Sequence, residues 1–296
     1  MLKPFLLIVN PNAGRGEYKN GFSDALLALS RAGYAPTLYF TRAPGDAINF
    51  VEECGSDFEI VACIGGDGTL SEVLSGLMKL KKRPKLGYIP MGTTNDVATT
   101  LDIPKNNALA AVLKMLRGEG HPYDVGGFGD DEFFSYIAAF GAFTEISYTT
   151  PQDQKKVLGH LAYVLQGALS LPKITSVYGR VEYDGGVFEG PLIYGSMSNS
   201  TSVAGIIKLK EDMVRLGDGF SELVLVRDPK TPEAFASLVS SVLSQSYEDD
   251  NLLIIQTQKA RFTFEKPVAW TRDGESGGEH EDITLCNYRA PIEFIF

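Results

Sequence analysis

The ten residues 63–72, CIGGDGTLSE, constrain the fold of this chain more than any other segment. They follow an apolar, β-branched stretch and precede a helical pattern, so they predict a strand, a glycine turn and a helix. Glycines let backbone N–H groups approach a ligand, and a helix N-terminus carries partial positive charge, which suits phosphate. Asp67 stands among the glycines, and a carboxylate beside phosphates makes chemical sense when a Mg²⁺ ion lies between them. The segment therefore predicts a site for nucleotide phosphates and a metal.

This glycine turn matches neither of the two commonest phosphate-binding patterns. The sequence contains no Gly-x-x-x-x-Gly-Lys-Ser/Thr, which argues against a P-loop NTPase, and GGDGT is not the dinucleotide pattern Gly-x-Gly-x-x-Gly. Because short glycine motifs recur by accident, an ordinary strand-to-helix turn with a solvated Asp67 is the alternative.

Two further turns of similar composition follow predicted strands. Residues 8–16 (IVNPNAGRG) end the first apolar run, and residues 89–96 (IPMGTTND) end the strand-like stretch that begins at 86. In an open parallel sheet, the turns at the carboxyl ends of the strands converge on one edge, where ligands bind. We therefore expect Asp67 and Asp96 to face the same crevice.

The two halves of the chain differ in their secondary-structure pattern. From 1 to about 124, strand and helix patterns alternate, which predicts an α/β N-terminal domain with an open, mostly parallel sheet. Beyond about 125, strand follows strand, with separate strands predicted at 261–264 and 268–271 and helices at 158–169 and 232–243. This half predicts a second, mostly antiparallel β domain.

Four segments together carry a family resemblance. They are NP…G at 10–14, GGDGT at 65–69, PxGTxND at 90–96 and DGE at 273–275, and they occur in this order. In that combination the chain, from about residue 5 to its end, resembles the diacylglycerol kinase catalytic domain, in particular the soluble bacterial lipid kinases. The resemblance implies a nucleotide-binding domain at 1–124, completed by a returning C-terminal strand at about 289–296. It also implies a β-rich lipid-substrate domain at 125–288 and an active site in the interdomain cleft.

The same resemblance implies an activity. The chain is expected to be an ATP-dependent lipid kinase that transfers the γ-phosphate of ATP to a lipid hydroxyl, that of diacylglycerol first, giving phosphatidic acid. Another lipid alcohol (a sphingoid base or a phosphatidylglycerol-like lipid) is an alternative acceptor. NAD kinase-like activity and a non-catalytic lipid-binding module are further alternatives, ranked lower because the DGE segment and every proposed catalytic carboxylate are present.

Phosphoryl transfer needs charge neutralisation, in-line positioning and a base for the acceptor hydroxyl, and the resemblance assigns residues to each task. Glu275 is the expected general base, and Asp67 and Asp96 are expected to hold the catalytic Mg²⁺. Asp273, Glu279, Glu281 and Asp282 of the same acidic segment compete with Glu275 for this role, and a solvated loop is the alternative for the whole segment. Thr41 matches a nucleotide-contact position, although an N-cap for the helix at Asp46 or a plain turn threonine explains it equally well. The expected ATP contacts are Asn10, Pro11, Asn12, Ala13, Gly14, Thr41, Gly65, Gly66, Asp67, Gly68, Thr69, Leu70, Ser71, Glu72 and Thr93.

A second metal position is expected at residues 215–220, RLGDGF. The bacterial members that this chain resembles place a structural Mg²⁺ here, and Asp218 matches its carboxylate ligand. Arg215 stands where a small polar residue is usual, and a guanidinium cannot ligate a cation, so Arg215 and Phe220 are expected to contribute backbone carbonyls only. A simple Asp-Gly turn is the alternative.

Composition limits the partners. The net charge of −10 makes nucleic acid an improbable partner, because binding to phosphate backbones depends on cationic side chains. Three cysteines without metal-ligand spacing indicate core thiols in a reducing cytosol, and no apolar run approaches the ~20 residues of a spanning helix. The expected location is cytoplasmic, with transient peripheral contact at a membrane surface during turnover. The sequence is compatible with a homodimer and does not fix the oligomeric state.

Overall fold

The structure of the protein is a computed structural model that describes residues 2–13, 21–93, 95–141, 175–200, 202–203, 207–208 and 216–296. The chain divides into two compact units. The first comprises Met1–Val125, Glu132–Ser135 and Arg289–Phe296, and the second comprises Gly126–Asp131 and Tyr136–Tyr288. No helix among the described residues is long and apolar enough to cross a membrane.

The first unit is an α/β domain with a parallel sheet. Its strands lie in the order β4-β3-β1-β2, all paired in parallel. The central strand β3 is buried along its whole length, as expected for a strand with neighbours on both sides and helices on both faces. The elements are β1 Lys3–Val9, α1 Phe22–Arg31, β2 Tyr34–Phe40, α2 Asp46–Cys54, β3 Ile60–Gly65, α3 Asp67–Met78, β4 Lys85–Pro90, α4 Asp96–Thr100 and α5 Ala108–Arg117.

The second unit is built on antiparallel strands. Its sheet runs β13-β12-β9-β7-β14-β15, and β8 pairs with both β9 and β14. The described elements from residue 120 onward are β5 Gly120–Phe128 (which begins in the first unit), β6 Glu132–Phe134 (a first-unit strand), β7 Ile137–Gly141, β8 Val177–Tyr183, β9 Gly186–Ser198, β10 Ser202–Val203, β11 Ile207–Lys208, β12 Ser221–Arg227, the helix α6 Pro232–Leu243, β13 Leu252–Thr257, β14 Lys259–Arg272 and β15 Glu275–Ile295 (which ends in the first unit).

Each face of the second-unit sheet has its own apolar core. On one face, Trp270 packs against Phe140 and Phe262, with ring centroids 4.9 and 5.0 Å from its own. On the other face, Tyr194 and Val224 belong to a cluster that includes Leu238 of α6. Thr231 caps α6 by accepting a hydrogen bond from the Ala234 amide.

The predicted fold class is confirmed, and several element boundaries are corrected. The two strands predicted at 261–264 and 268–271 are parts of one strand, β14, and the acidic run after Gly274 is the start of β15 rather than a loop. One face of an antiparallel strand is often solvated, so a strand tolerates a charged run that resembles a loop in sequence. The end of β15 pairs in parallel with β4 through Phe294 and Leu86, within the first unit. The helix predicted at 158–169 lies outside the described residues.

Candidate active site

Three turns of the first unit end at the same sheet edge. In the strand registers Val9 lies beside Ile64, and Gly65 lies beside Pro90. Two backbone hydrogen bonds continue this pairing beyond the strands: the Asn10 amide donates to the Ile64 carbonyl at 3.0 Å, and the Met91 amide donates to the Gly65 carbonyl at 2.8 Å. The segments that contain Asn10, Asp67 and Asp96 are therefore neighbours.

Two glycines allow the second and third turns to touch. A Cβ built on Gly92 would lie 2.5 Å from the Gly66 Cα, a distance that real Cβ contacts do not show, whereas a Cβ on Gly66 would have its nearest neighbour at 3.4 Å. A Cβ on Gly65 would lie 2.5 Å from the Thr69 hydroxyl oxygen. Close packing, against the Gly66 backbone for Gly92 and against the Thr69 side chain for Gly65, therefore requires glycine at these two positions in addition to any access for a ligand.

Helix α3 begins directly after the glycine turn. Gly66 is its N-cap and is extended, with φ −94° and ψ −173°, and as a glycine it has no side chain that could cap the first helical turn. The amides of the first helical turn have no acceptor within the helix and carry the positive end of its dipole. This helix end has the chemistry to bind the phosphates of a nucleotide.

Asn10 joins the first turn to the glycine turn. Its Nδ2 donates to the Thr69 hydroxyl at 3.0 Å, and its Oδ1 accepts from the Asn12 amide at 3.0 Å. An amide side chain supplies the donor and the acceptor at once, which a carboxylate does not. Ala13 is buried and Asn12 is exposed, and the predicted contact Gly14 lies outside the described residues.

The Asp67 carboxylate holds the N-terminus of α4. Its Oδ2 accepts from the Asp96 amide at 3.0 Å, and its Oδ1 accepts from the Val97 amide at 3.4 Å. Each carboxylate oxygen has two lone pairs, so Asp67 keeps acceptor capacity for a cation or its water ligands. The sequence prediction for Asp67 did not include this bridging role.

Asp96 lies half-buried beside that bridge. Burial raises the pKa of its carboxyl above the usual value, and the nearby Lys105 opposes this increase. The preceding Asn95 is buried in the left-handed conformation, with φ 53°, and its side chain exchanges two hydrogen bonds with the Gly92 backbone. Asn95 was not among the predicted site residues, although the Gly-x-x-Asn-Asp spacing is the signal that identifies it.

Two predicted ATP contacts also support the turn that precedes α2. The Glu72 carboxylate accepts from the Gly45 amide at 2.9 Å and from the Ala47 amide at 3.3 Å, so it caps this helix. Thr41 donates its amide to the Val9 carbonyl at 2.9 Å and is not the N-cap, because Gly45 occupies that position. The proposed ATP contact of Thr41 stays a prediction.

The remaining predicted contacts differ in accessibility. The side chains of Leu70 and Thr69 are buried, and Thr93 is exposed. Because the Leu70 side chain faces the core, a contact from Leu70 to a nucleotide would have to use its backbone. Pro11, Gly68 and Ser71 are half-buried.

Glu275 lies directly after a hairpin turn of the second unit. It pairs with Arg272 across the two turn residues, Asp273 and Gly274, and is exposed. Asp273 is buried, with 5% of its surface exposed, and its Oδ1 accepts from the amides of Tyr136 and Ile137. The sequence pattern does not predict these contacts of Asp273.

The predicted second metal position is a tight turn. The Asp218 Oδ1 accepts from the Phe220 amide at 2.9 Å, and Gly217 and Gly219 flank it with φ 90° and 93°. Arg215 lies outside the described residues. Among the residues that are described, no three or more His, Cys, Asp or Glu side chains are grouped to hold a metal, so a site here depends on one carboxylate and backbone carbonyls.

Comparison with known proteins gives one consistent relationship. Residues 4–128 match the family model of the diacylglycerol kinase catalytic domain. A diacylglycerol kinase of Bacillus subtilis (strain 168) is 32% identical over 278 residues, which is 94% of this chain and 91% of that protein. One from Staphylococcus aureus (strain MRSA252) is 32% identical over 280 residues, 94% of this chain and 88% of that protein.

Solved structures show the same fold. The crystal structure of a diacylglycerol kinase from Bacillus anthracis (strain Sterne) aligns with a TM-score of 0.73 at 24% identity, covering 99% of this chain and 97% of that chain. Another crystal structure from the same strain has a TM-score of 0.78 at 25% identity, with the same coverage. Given the identity and coverage of the curated relatives, the chain belongs to the diacylglycerol kinase catalytic domain family, a family of lipid kinases.

Proposed function

We propose that this protein transfers the γ-phosphate of ATP to the hydroxyl of diacylglycerol, giving phosphatidic acid. The observation that carries the proposal is the α3 N-terminus beside Asp67 and Asp96, because it combines phosphate-binding amides with carboxylates that suit a cation. The relatives named diacylglycerol kinase support diacylglycerol as the acceptor.

Binding of the nucleotide is assigned to the sheet edge of the first unit. The amides of Gly66, Gly68 and Thr69 would donate hydrogen bonds to phosphate oxygens, and the turn at residues 10–14 would contribute further backbone groups. Asn10 orients Thr69 by its 3.0 Å hydrogen bond, so that the hydroxyl has a fixed position.

Two carboxylates of the same edge suit a magnesium ion. Mg²⁺ is usually held by one or two carboxylates together with substrate phosphates and waters, which fits Asp67 and Asp96. When bound, the ion neutralises charge on the transferred phosphoryl group. Burial raises the pKa of Asp96, and a buried carboxylate of this kind gains from a neighbouring cation.

Glu275 is proposed to accept the proton of the lipid hydroxyl. A general base must reach the proton that it abstracts, and Glu275 is exposed on the strand that leaves the hairpin turn. We also propose a structural Mg²⁺ at Asp218 with the carbonyls of Arg215 and Phe220, a cytoplasmic location, and transient contact with a membrane surface.

The test is an assay of the purified chain with Mg-ATP and a panel of detergent-dispersed lipids. The panel contains diacylglycerol, a sphingoid base and phosphatidylglycerol, and a parallel reaction contains NAD. We expect phosphate transfer to diacylglycerol, with transfer abolished by EDTA and restored by added Mg²⁺. Transfer to another lipid alcohol but not to diacylglycerol would show that diacylglycerol is not the acceptor. Production of NADP from NAD, or no transfer to any lipid by the folded protein, would overturn the proposed lipid kinase activity.

A further inference from the structure

We propose that Asp273 is a positioning residue that fixes the hairpin turn carrying Glu275, which is a role that no sequence motif or comparison assigns. This inference rests on the proposed function, because it matters for activity only if Glu275 is the base. From the sequence, Asp273 is only an acidic neighbour that competes with Glu275 for the role of base.

The hairpin between β14 and β15 has a two-residue turn. Arg272 pairs with Glu275, so only Asp273 and Gly274 lie between the strands, and both have positive φ values of 48° and 84°. Two left-handed residues match the twist of the flanking strands, and Asp-Gly is among the preferred sequences for such a turn. The position of Glu275 relative to Arg272 is therefore fixed by turn geometry.

A turn alone does not fix the hairpin against the rest of the unit. The register between β14 and β15 shifts between Trp270 and Thr271, which is an irregularity just before the turn. Hairpin ends with few packed neighbours open locally at low cost in free energy. Contacts outside the hairpin are therefore needed to hold the turn end of β14 and β15 against the rest of the unit, and Asp273 makes such contacts.

Three hydrogen bonds tie Asp273 to the start of β7. Its Oδ1 accepts from the Tyr136 amide at 3.0 Å and from the Ile137 amide at 3.2 Å, and its own amide donates to the Ile137 carbonyl at 2.9 Å. These bonds extend the pairing of β14 with β7, in which Arg272 lies beside Ala138. Because Asp273 is buried and Glu275 is exposed, the two carboxylates of the DGE segment perform different tasks.

The expected consequence is a loss of rate when this attachment is removed. Catalytic groups must be held close to their productive geometry, and a displacement of ~1 Å costs on the order of 100-fold in rate. Asp273→Ala removes the acceptor for two amides. We expect kcat to fall roughly 10- to 100-fold, while the Kd for Mg-ATP stays unchanged because nucleotide binding is assigned to the first unit.

A double-mutant cycle with Glu275→Gln separates positioning from a purely structural role. If Asp273 acts through Glu275, Asp273→Ala should lower kcat by less than about threefold when Glu275 is already glutamine. Asp184→Ala is the matched control, because the Asp184 Oδ2 accepts from the Gln258 amide at 2.6 Å and the Thr257 hydroxyl at 3.0 Å, in a different turn of the same unit. We expect Asp184→Ala to lower the melting temperature and to leave kcat unchanged.

The outcomes are distinct. Equal losses from Asp273→Ala with and without Glu275→Gln, or a normal kcat in folded Asp273→Ala, would overturn the positioning role. A normal kcat in Glu275→Gln would instead overturn the base assignment, and an inactive wild-type protein would overturn the proposed function. Asp273→Asn is the second variant and tests the proposal even if Asp273→Ala does not fold: its side-chain oxygen still accepts from the two amides, so it should fold and keep a nearly normal kcat, and a loss of roughly 10-fold or more in folded Asp273→Asn would overturn a role that depends on these hydrogen bonds.

Discussion

The glycine turns of the first unit and the hairpin turn of the second each contain two acidic residues, and in each an aspartate holds the backbone. In the first unit, Asp67 accepts from two amides of α4, and Asp96 lies half-buried next to it. In the second unit, Asp273 accepts from two amides at the start of β7, and Glu275 is exposed. The comparison indicates that a pair of acidic residues in a motif is not a pair of equivalent ligands.

The two regions differ in how their second carboxylate is surrounded. Burial raises the pKa of Asp96, so this carboxyl is in an environment that favours a bound cation or a proton. Glu275 is exposed to solvent and has the accessibility that a base needs for a lipid substrate. These surroundings suit a metal ligand at Asp96 in the first unit and a proton acceptor at Glu275 in the second.

The largest effect that tests this comparison is expected for Glu275→Gln. Glutamine has almost the same shape but does not accept a proton, so we expect kcat to fall by ~10²–10⁴-fold with the fold and ATP binding retained. The measurement is steady-state kinetics together with the Kd for Mg-ATP. The neighbouring Glu279→Gln, also on the exposed side of β15, is the control, and comparable losses in both variants would show that the charge of the strand matters rather than one base.

The next effect concerns the aspartates of the first unit. Asp67→Asn and Asp96→Asn should each reduce activity, by roughly 10- to 100-fold, and raise the Mg²⁺ concentration needed for half-maximal rate. Only Asp67→Asn should also lower stability markedly, because asparagine presents an NH₂ group to one of the two amides that now donate to Asp67. A Mg²⁺ titration and a melting curve for each variant give both quantities. Equal melting temperatures would contradict the bridging role of Asp67.

The sequence predicted the fold class because hydrophobic periodicity determines it. Alternation of strand and helix patterns marks the parallel sheet, and the helix at 232–243 has the predicted bounds. Hydrophobic periodicity did not identify secondary structure where a strand is solvated or a helix is short. The charged start of β15 resembled a loop, and the five-residue α4 is too short to produce a periodic signal.

The sequence also predicted that the three turns meet, but not what their side chains contact. Residues far apart in sequence make the decisive hydrogen bonds: Asp67 with the amides of α4, Glu72 with the turn before α2, and Asp273 with Tyr136. A motif reports which residue types recur, whereas the partner of each side chain depends on tertiary packing. The contact of Gly66 with Gly92 likewise depends on tertiary packing, so the sequence does not predict it.

A smaller effect distinguishes packing from ligand access at the two glycines that touch. Gly92→Ala places a Cβ 2.5 Å from the Gly66 Cα, and overpacking of this kind costs about 1–3 kcal/mol of unfolding free energy. Gly66→Ala meets its nearest neighbour at 3.4 Å with φ −94°, so it should fold normally and weaken ATP binding instead. Chemical denaturation and ATP titration measure the two effects. A normal stability for Gly92→Ala would show that the two turns separate readily.

The smallest effect is expected for Glu72→Gln. Both carboxylate oxygens of Glu72 accept from amides at the start of α2, and glutamine supplies one acceptor and one donor, so one of the two amides loses its partner. Loss of a helix cap typically costs about 1 kcal/mol. Glu52→Gln on α2 is the matched control, because Glu52 forms an exposed ion pair with Lys79 at 3.0 Å, and such pairs contribute about 0–1 kcal/mol. Chemical denaturation of both variants should show the larger loss for Glu72→Gln. Equal losses would mean that the turn before α2 is held by other contacts, and that Glu72 is available to the nucleotide as the sequence predicted.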